Sequence, residues 1–413
     1  MAKMKKSSSA DLGGAGMLAS WAAYIFTAIM IGIFPLYFYD NYFDIMRSKV
    51  RFFQIAAAAF LLVAVVLTIV QLVEQCVKEK RLHFQKSVPT HVLVLSGIFL
   101  LAVFISAFMS DYRQEAFWGE TGRRTSAVFW LLAILAFLMI ARYLKAGMGL
   151  VWIFLISNTL VFLLAALNYW GLDPLGMHEG LNAAQSATFI STIGNVNMNV
   201  SYDCLIYPIG LALFYQSRER LSRILYGIFV VIGCWGLFST TSEGWILGVG
   251  GAFVLLFWFG MSSFENLKYY CQTAVLFLAS LLSMQYLSTL AVHLGATGPA
   301  LMKSQNQEVT VTFMHPAVLW ALLLIFAAGM IWTLMVSRKN GQELQTEKTD
   351  AILMRARNIL FILLLAAVLA GIILIIIVTS NPAAAEGRPM LPRQRATVGF
   401  VSRPGSSGLN RKT

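Results

Sequence analysis

Long uninterrupted apolar runs, separated by short polar stretches, dominate the chain. They cover residues 17–38, 52–75, 91–109, 125–143, 149–168, 198–216, 222–239, 244–262, 269–291, 315–337 and 357–379. Each holds roughly 18 residues or more, enough for a helix to cross a hydrocarbon layer about 30 Å thick. No water reaches backbone groups at that depth, so each run must satisfy its own N–H and C=O groups, which means helix. A membrane β-barrel would show alternating segments of about ten residues instead. The pattern predicts an all-α fold, a polytopic integral membrane bundle of about eleven transmembrane helices.

Composition closes off the soluble alternative. Of 413 residues, 58% are hydrophobic and 12% charged, with a mean hydropathy of +0.71. A soluble domain usually carries about 25% charged residues. The cysteines (Cys76, Cys204, Cys234, Cys271) lie in or beside apolar runs without a CxxC pair and read as small buried side chains. The histidines (His83, His91, His178, His293, His315) lack ligand spacing, so no metal site is expected.

Charge sets the expected orientation. Lys3, Lys5 and Lys6 precede a first run too long for a signal-peptide core, which reads as an uncleaved signal-anchor. With residues 1–16 as a cytoplasmic tail, the inner segments hold eighteen Lys and Arg and the outer loops seven, as the positive-inside rule asks. The mixed-charge stretch 338–356 reads as a short solvated cytoplasmic helix or hairpin. Residues 17–379 form one multi-pass transmembrane domain. Residues 380–413, rich in Pro, Gly, Ser and Arg, read as a flexible, basic, extracytoplasmic tail. Topology accounts for the net charge of +12, so membrane lipids with anionic headgroups, and not nucleic acid, are the expected partners.

Three outer-side features carry candidate chemistry. In WGETGRRTSAVFW, 118–130, Arg123 and Arg124 stand where the chain enters a helix. They are either interfacial arginines that snorkel to headgroups or a clamp on a phosphate or diphosphate, which a guanidinium fork matches. Gly119 and Gly122 would let a ligand approach the backbone. The loop from GLDPLG, 171–176, to STIGNVNMNVSYD, 191–203, has no Lys or Arg and brings Asn195, Asn197 and Asn199 to a helix entrance, with Asp203 beyond. Capping explains one asparagine. The others suit sugar hydroxyls or diphosphate oxygens. In STTSEGW, 239–245, Glu243 either offsets a helix dipole or accepts a proton from a substrate hydroxyl. Ionisable residues are otherwise scarce within the runs, which counts against an ion-driven carrier.

These same segments resemble the O-antigen ligase and polymerase superfamily, particularly its Gram-positive members. FISTIGNVNMN is the most specific element, with GLDPLG upstream, TTSEGWILG downstream and WGETGRRTS before both; the match covers roughly residues 90–260. The resemblance implies a membrane glycosyltransferase of the GT-C type that needs no cofactor. Such an enzyme passes a glycan from an undecaprenyl-diphosphate carrier to a hydroxyl acceptor in cell-surface polysaccharide or glycoprotein assembly. It also implies that outer arginines, matched here by Arg123 and Arg124, grip the carrier diphosphate. The family's catalytic histidine, in a large outer loop near the C-terminus, has no counterpart among the residues to 413. The expectation is therefore a C-terminally truncated, inactive form, and no catalytic residue is assigned. The alternatives are a transporter or flippase for a lipid-linked glycan, or a non-catalytic partner in its assembly.

Overall fold

The computed structural model describes residues 14–79, 88–122, 124–305, 315–339 and 350–363. The N-terminal tail, Arg123, most of the mixed-charge stretch, most of the last apolar run and the C-terminal tail lie outside these. What is described is almost entirely helical, and the short pair Phe189–Ile190 and Gly194–Asn195 is the strand structure among the described residues. Seven described helices are long and apolar enough to cross a membrane, and two shorter apolar ones, Ala127–Tyr143 and Trp245–Gly260, accompany them. The protein is an all-α chain built for a membrane.

Two compact units emerge. The first comprises residues to Leu164, with Asp173–Leu181 and Phe189–Gly194; the second holds Ala165–Leu172, Asn182–Thr188 and the chain from Asn195.

In the first unit, α1 (Gly14–Ala28) runs on through a π-helical turn, Ile29–Ile33. It packs with α2 (Ile45–Glu79) and α5 (Ala127–Tyr143). Their seam is lined by Ala19, Ala23, Ala57, Ala64 and Ala136, with Phe26 stacked on Phe60 at 4.5 Å. Small residues bring helix axes close, and lipid-embedded helices rely on such contact because lipid supplies no hydrophobic drive between them. One polar chain crosses the seam: the Thr68 and Tyr143 hydroxyls are 2.8 Å apart, and Tyr143 donates to Gln71 Oε1 at 3.2 Å. Buried Lys49 reaches back to the carbonyls of Phe34 and Pro35 at 3.0 and 3.1 Å, satisfying acceptors where the first helix ends. The helix α3 (Thr90–Met109), the short α4 (Arg113–Trp118) and most of α6 (Met148–Tyr169) complete the unit.

The second unit contains the short α7 (Ala183–Ser186), α8 (Val196–Gln216), α9 (Arg220–Ser239), α10 (Trp245–Gly260), α11 (Phe264–His293), the short α12 (Pro299–Gln305) and α13 (Pro316–Lys339). Residues 350–363 are also helical. Helix α8 lies against α9 and α10, and α11 lies against α9, α10 and α13. Close approach is again made by glycine, with Gly210 facing the Phe229 ring and Gly248 facing Cys204. Directional bonds pin the contacts. Trp235 donates to Ser283 at 2.9 Å, Trp170 to Ser288 at 3.2 Å and Tyr207 to the Val230 carbonyl at 3.1 Å. Ser263 caps α11, and Asp350 adds a second acceptor by taking the Phe264 N–H at 2.8 Å.

The short helices α4, α7 and α12 lie in segments that the hydrophobic pattern reads only as loop. Each is too short to leave a periodic signal, and side chains hold two of them. Asn182 and Gln185 form a reciprocal capping box on α7, and Glu115 closes the turn after α4.

Candidate functional site

In the first unit, the loop carrying Arg124 is tied from within. Helix α4 ends on Gly119 in the left-handed region (φ 67°), whose N–H bonds the Glu115 carbonyl at 2.8 Å. The Glu115 carboxylate then accepts the backbone N–H groups of Glu120 (3.0 Å) and Thr121 (2.7 Å). The Thr121 backbone N–H is the main influence holding Glu115 below the usual glutamate range, and the Arg124 charge adds to it. Arg124 N–H bonds the Thr121 carbonyl at 3.1 Å, and Ser126 then caps α5 by accepting from Phe129. Arg124 itself stands at φ 56°, a conformation costly for a non-glycine residue unless its surroundings enforce it. Gly119 serves this closure and not ligand approach, since a Cβ there would sit 2.7 Å from the Arg124 carbonyl oxygen. Gly122 does face open space.

A second network in the same unit gathers residues far apart in the chain. Buried Tyr42 donates to the Ser191 carbonyl at 2.8 Å, and its ring lies 5.3 Å from that of His178. Burial, then the nearby Asp173 charge, pushes the Tyr42 hydroxyl far above the usual tyrosine range, so it stays a donor. Asp173 accepts the His178 backbone N–H at 2.7 Å, and the same carboxylate oxygen lies 3.5 Å from His178 Nδ1. His178 Nε2 stands 2.7 Å from the Phe189 carbonyl. Both ring nitrogens thus face acceptors, and the imidazole acts as a clasp between two loop strands. Ser191, at φ 59°, gives its hydroxyl to the Val161 carbonyl, and Thr192 gives its own to Pro35. The histidine spacing contained no sign of this clasp, because its partners are a carboxylate, a backbone carbonyl and the distant Tyr42 ring, not other histidines.

In the second unit, the three asparagines take three different jobs. Asn195 caps α8 by accepting the Asn197 N–H at 2.9 Å. Asn197 is exposed, and its side chain makes no hydrogen bond among the described residues. Asn199 is fully buried and donates to Asp203, also fully buried, at 2.8 Å. Asn199 Oδ1 and Asp203 Oδ1 are left without partners. The turn 239–244 sits beside the same end of α8. A Cβ on Gly244 would lie 3.6 Å from Val200, and Cys204 Sγ contacts the Gly244 carbonyl at 3.7 Å. Glu243 does not cap α10, whose N-cap is Gly244 without a side-chain bond. Its carboxylate is exposed and has no hydrogen-bond or ion-pair partner among the described residues.

Asn197 and Glu243 therefore share one end of the second unit, where an exposed amide and an exposed carboxylate can meet a hydroxyl-bearing ligand. Arg124 belongs to the first unit, in a loop that holds its backbone still, and Arg123 lies outside the described residues. The buried Asn199–Asp203 pair, at i,i+4 spacing on one helix face, was visible in the sequence as neighbours but not as partners. Compared with protein-family models, curated proteins and solved structures, the chain finds no match in any of the three.

Proposed function

We propose that the chain is an O-antigen ligase-like membrane glycosyltransferase, an eleven-pass GT-C-like bundle with its N-terminus on the cytoplasmic side of the cell membrane. It receives a glycan from an undecaprenyl-diphosphate carrier and passes it to a hydroxyl acceptor in cell-envelope assembly. The observation that supports this reading best is the internally tied turn around Arg124. A cation whose backbone is fixed at a helix entrance suits a developing diphosphate leaving group, because the chain that carries it need not rearrange when charge appears. Asn197 is suited to sugar hydroxyls. Glu243, exposed at the same end of the second unit as Asn197, is suited to accept a proton from a hydroxyl-bearing ligand there.

The test is binding of an undecaprenyl-diphosphate glycan to the purified full chain. Arg124→Ala, alone and with Arg123→Ala, is expected to weaken it roughly tenfold or more, the worth of a charge-assisted hydrogen bond. Unchanged affinity overturns the carrier-diphosphate role.

A second reading, a flippase or non-catalytic partner for the same lipid-linked glycan, draws support from His178. Its ring is given over to holding the loop, with Nε2 2.7 Å from the Phe189 carbonyl and Nδ1 3.5 Å from Asp173. Glycan transfer by the purified chain separates the two readings, since only the glycosyltransferase yields product.

A further inference from the structure

At the opposite end of α8 and α10 from Asn197 and Glu243, the two helices part to leave a groove of about 1030 Å³. That is at the upper limit of small-molecule sites, roughly 300–1,000 Å³. Its walls are small or aliphatic, with Ala212 on α8 and Gly251, Ala252 and Leu255 on α10. The lining side chains Val254, Leu255 and Phe259 are exposed, which in a membrane chain means that they face lipid. At the helix ends the lining turns polar, with Tyr215, Arg218 and Asn266.

Two observations at this polar end point to a ligand. Tyr215 is only 6% exposed, and its hydroxyl is buried with no hydrogen-bond partner. A buried O–H of this kind normally finds an acceptor. Arg218 is held in place by its own Nη1, which bonds the Tyr215 carbonyl at 2.8 Å, and by the Tyr269 ring 3.4 Å below its guanidinium. A guanidinium carries five N–H donors, so others stay available. No carboxylate lines the groove.

We propose that this groove binds one anionic glycerophospholipid. An acyl chain lies along the Gly251–Ala252 wall, and the phosphodiester sits between the Arg218 guanidinium and the Tyr215 hydroxyl. Charge complementarity selects this occupant, because a single cation in the lining matches the single negative charge of a phosphodiester. Arg223 and Lys268 share the Tyr269 ring with Arg218 but lie outside the lining, so the groove itself presents one cation. The site uses neither Arg124, Asn197 nor Glu243, so it stands independently of the glycosyltransferase reading.

Native mass spectrometry of the delipidated full chain provides the test, with phosphatidylglycerol, phosphatidylcholine and undecaprenyl phosphate as separate arms. Phosphatidylglycerol is expected to bind about fivefold tighter than phosphatidylcholine, the weight of one cation near an anionic headgroup. Arg218→Gln should abolish that preference. A Cβ on Gly251 meets nothing within 4 Å, so Gly251→Phe can fill the groove and should remove bound lipid of both kinds while keeping the parental unfolding temperature. The proposal falls if the parent shows no headgroup preference, or if folded Gly251→Phe keeps its phosphatidylglycerol. It falls equally if undecaprenyl phosphate displaces phosphatidylglycerol. Should Gly251→Phe fail to fold, the headgroup preference of Arg218→Gln decides alone.

Discussion

Glu115 accepts two backbone N–H groups of its own loop, so the turn that carries Arg124 depends on its ionisation. Its folded pKa is depressed, so its contribution is present above the unfolded value, about 4.3, and is lost as pH falls through the lower folded value. The amide resonances of Glu120 and Thr121 should therefore shift together in acid, at a pH below the ordinary glutamate range. In Glu115→Gln that titration should vanish; if it persists, another group holds the loop. Tyr42 makes a different kind of residue-scale bond. Tyr42→Phe leaves the buried Ser191 carbonyl without this donor, and is expected to cost about 1–3 kcal/mol in detergent unfolding.

Helix contacts in this protein turn on where glycine and alanine fall. Gly210 faces the Phe229 ring so closely that any Cβ would collide with it, whereas Gly250 has nothing within 4 Å. Gly210→Ala should destabilise by about 1–3 kcal/mol through overpacking. Gly250→Ala should be neutral or stabilising by up to about 1 kcal/mol, from helix propensity alone. Equal melting temperatures for the two variants would contradict the α8–α9 packing. Every sequence-predicted span that falls within the described residues is helical over most of its length, the first ending at Ile33, because an apolar run of that length has no other way to satisfy its backbone. Less was legible at the element ends. The π-helical turn after α1, the closure after α4 and the capping box on α7 depend on which side chain meets which backbone group. Residue type and spacing do not specify that pairing.

At the scale of the molecule, the seven long apolar helices among the described residues and the surplus of apolar surface demand lipid as solvent. The chain should stay in the membrane fraction through alkaline carbonate washing and be released only by detergent. Appearance in the carbonate supernatant would refute a membrane-spanning fold. The excess of Lys and Arg in alternate loops predicts that a fluorescent protein fused ahead of Met1 stays bright in the cytoplasm. A dark fusion whose reporter is exported would reverse the assignment.

Read by itself, the sequence determined the solvent, the helical class and the positions of the apolar runs, because hydrophobicity and backbone satisfaction are local properties of a stretch of chain. It also drew attention to Arg124, the asparagines of α8 and Glu243 as polar groups in need of a reason. Only the tertiary structure decided what each one does. Asn195 is spent on a cap and Asn199 on Asp203, while Asn197 and Glu243 are left exposed. Gly119 closes a turn that the sequence offered as an opening for ligand. The His178 clasp and the groove beside Tyr215 had no signature at all, since Tyr42 meets His178 from far along the chain and the groove is walled by two separate helices. Hydrogen bonds and cavities depend on which residues arrive together, and that is settled by packing.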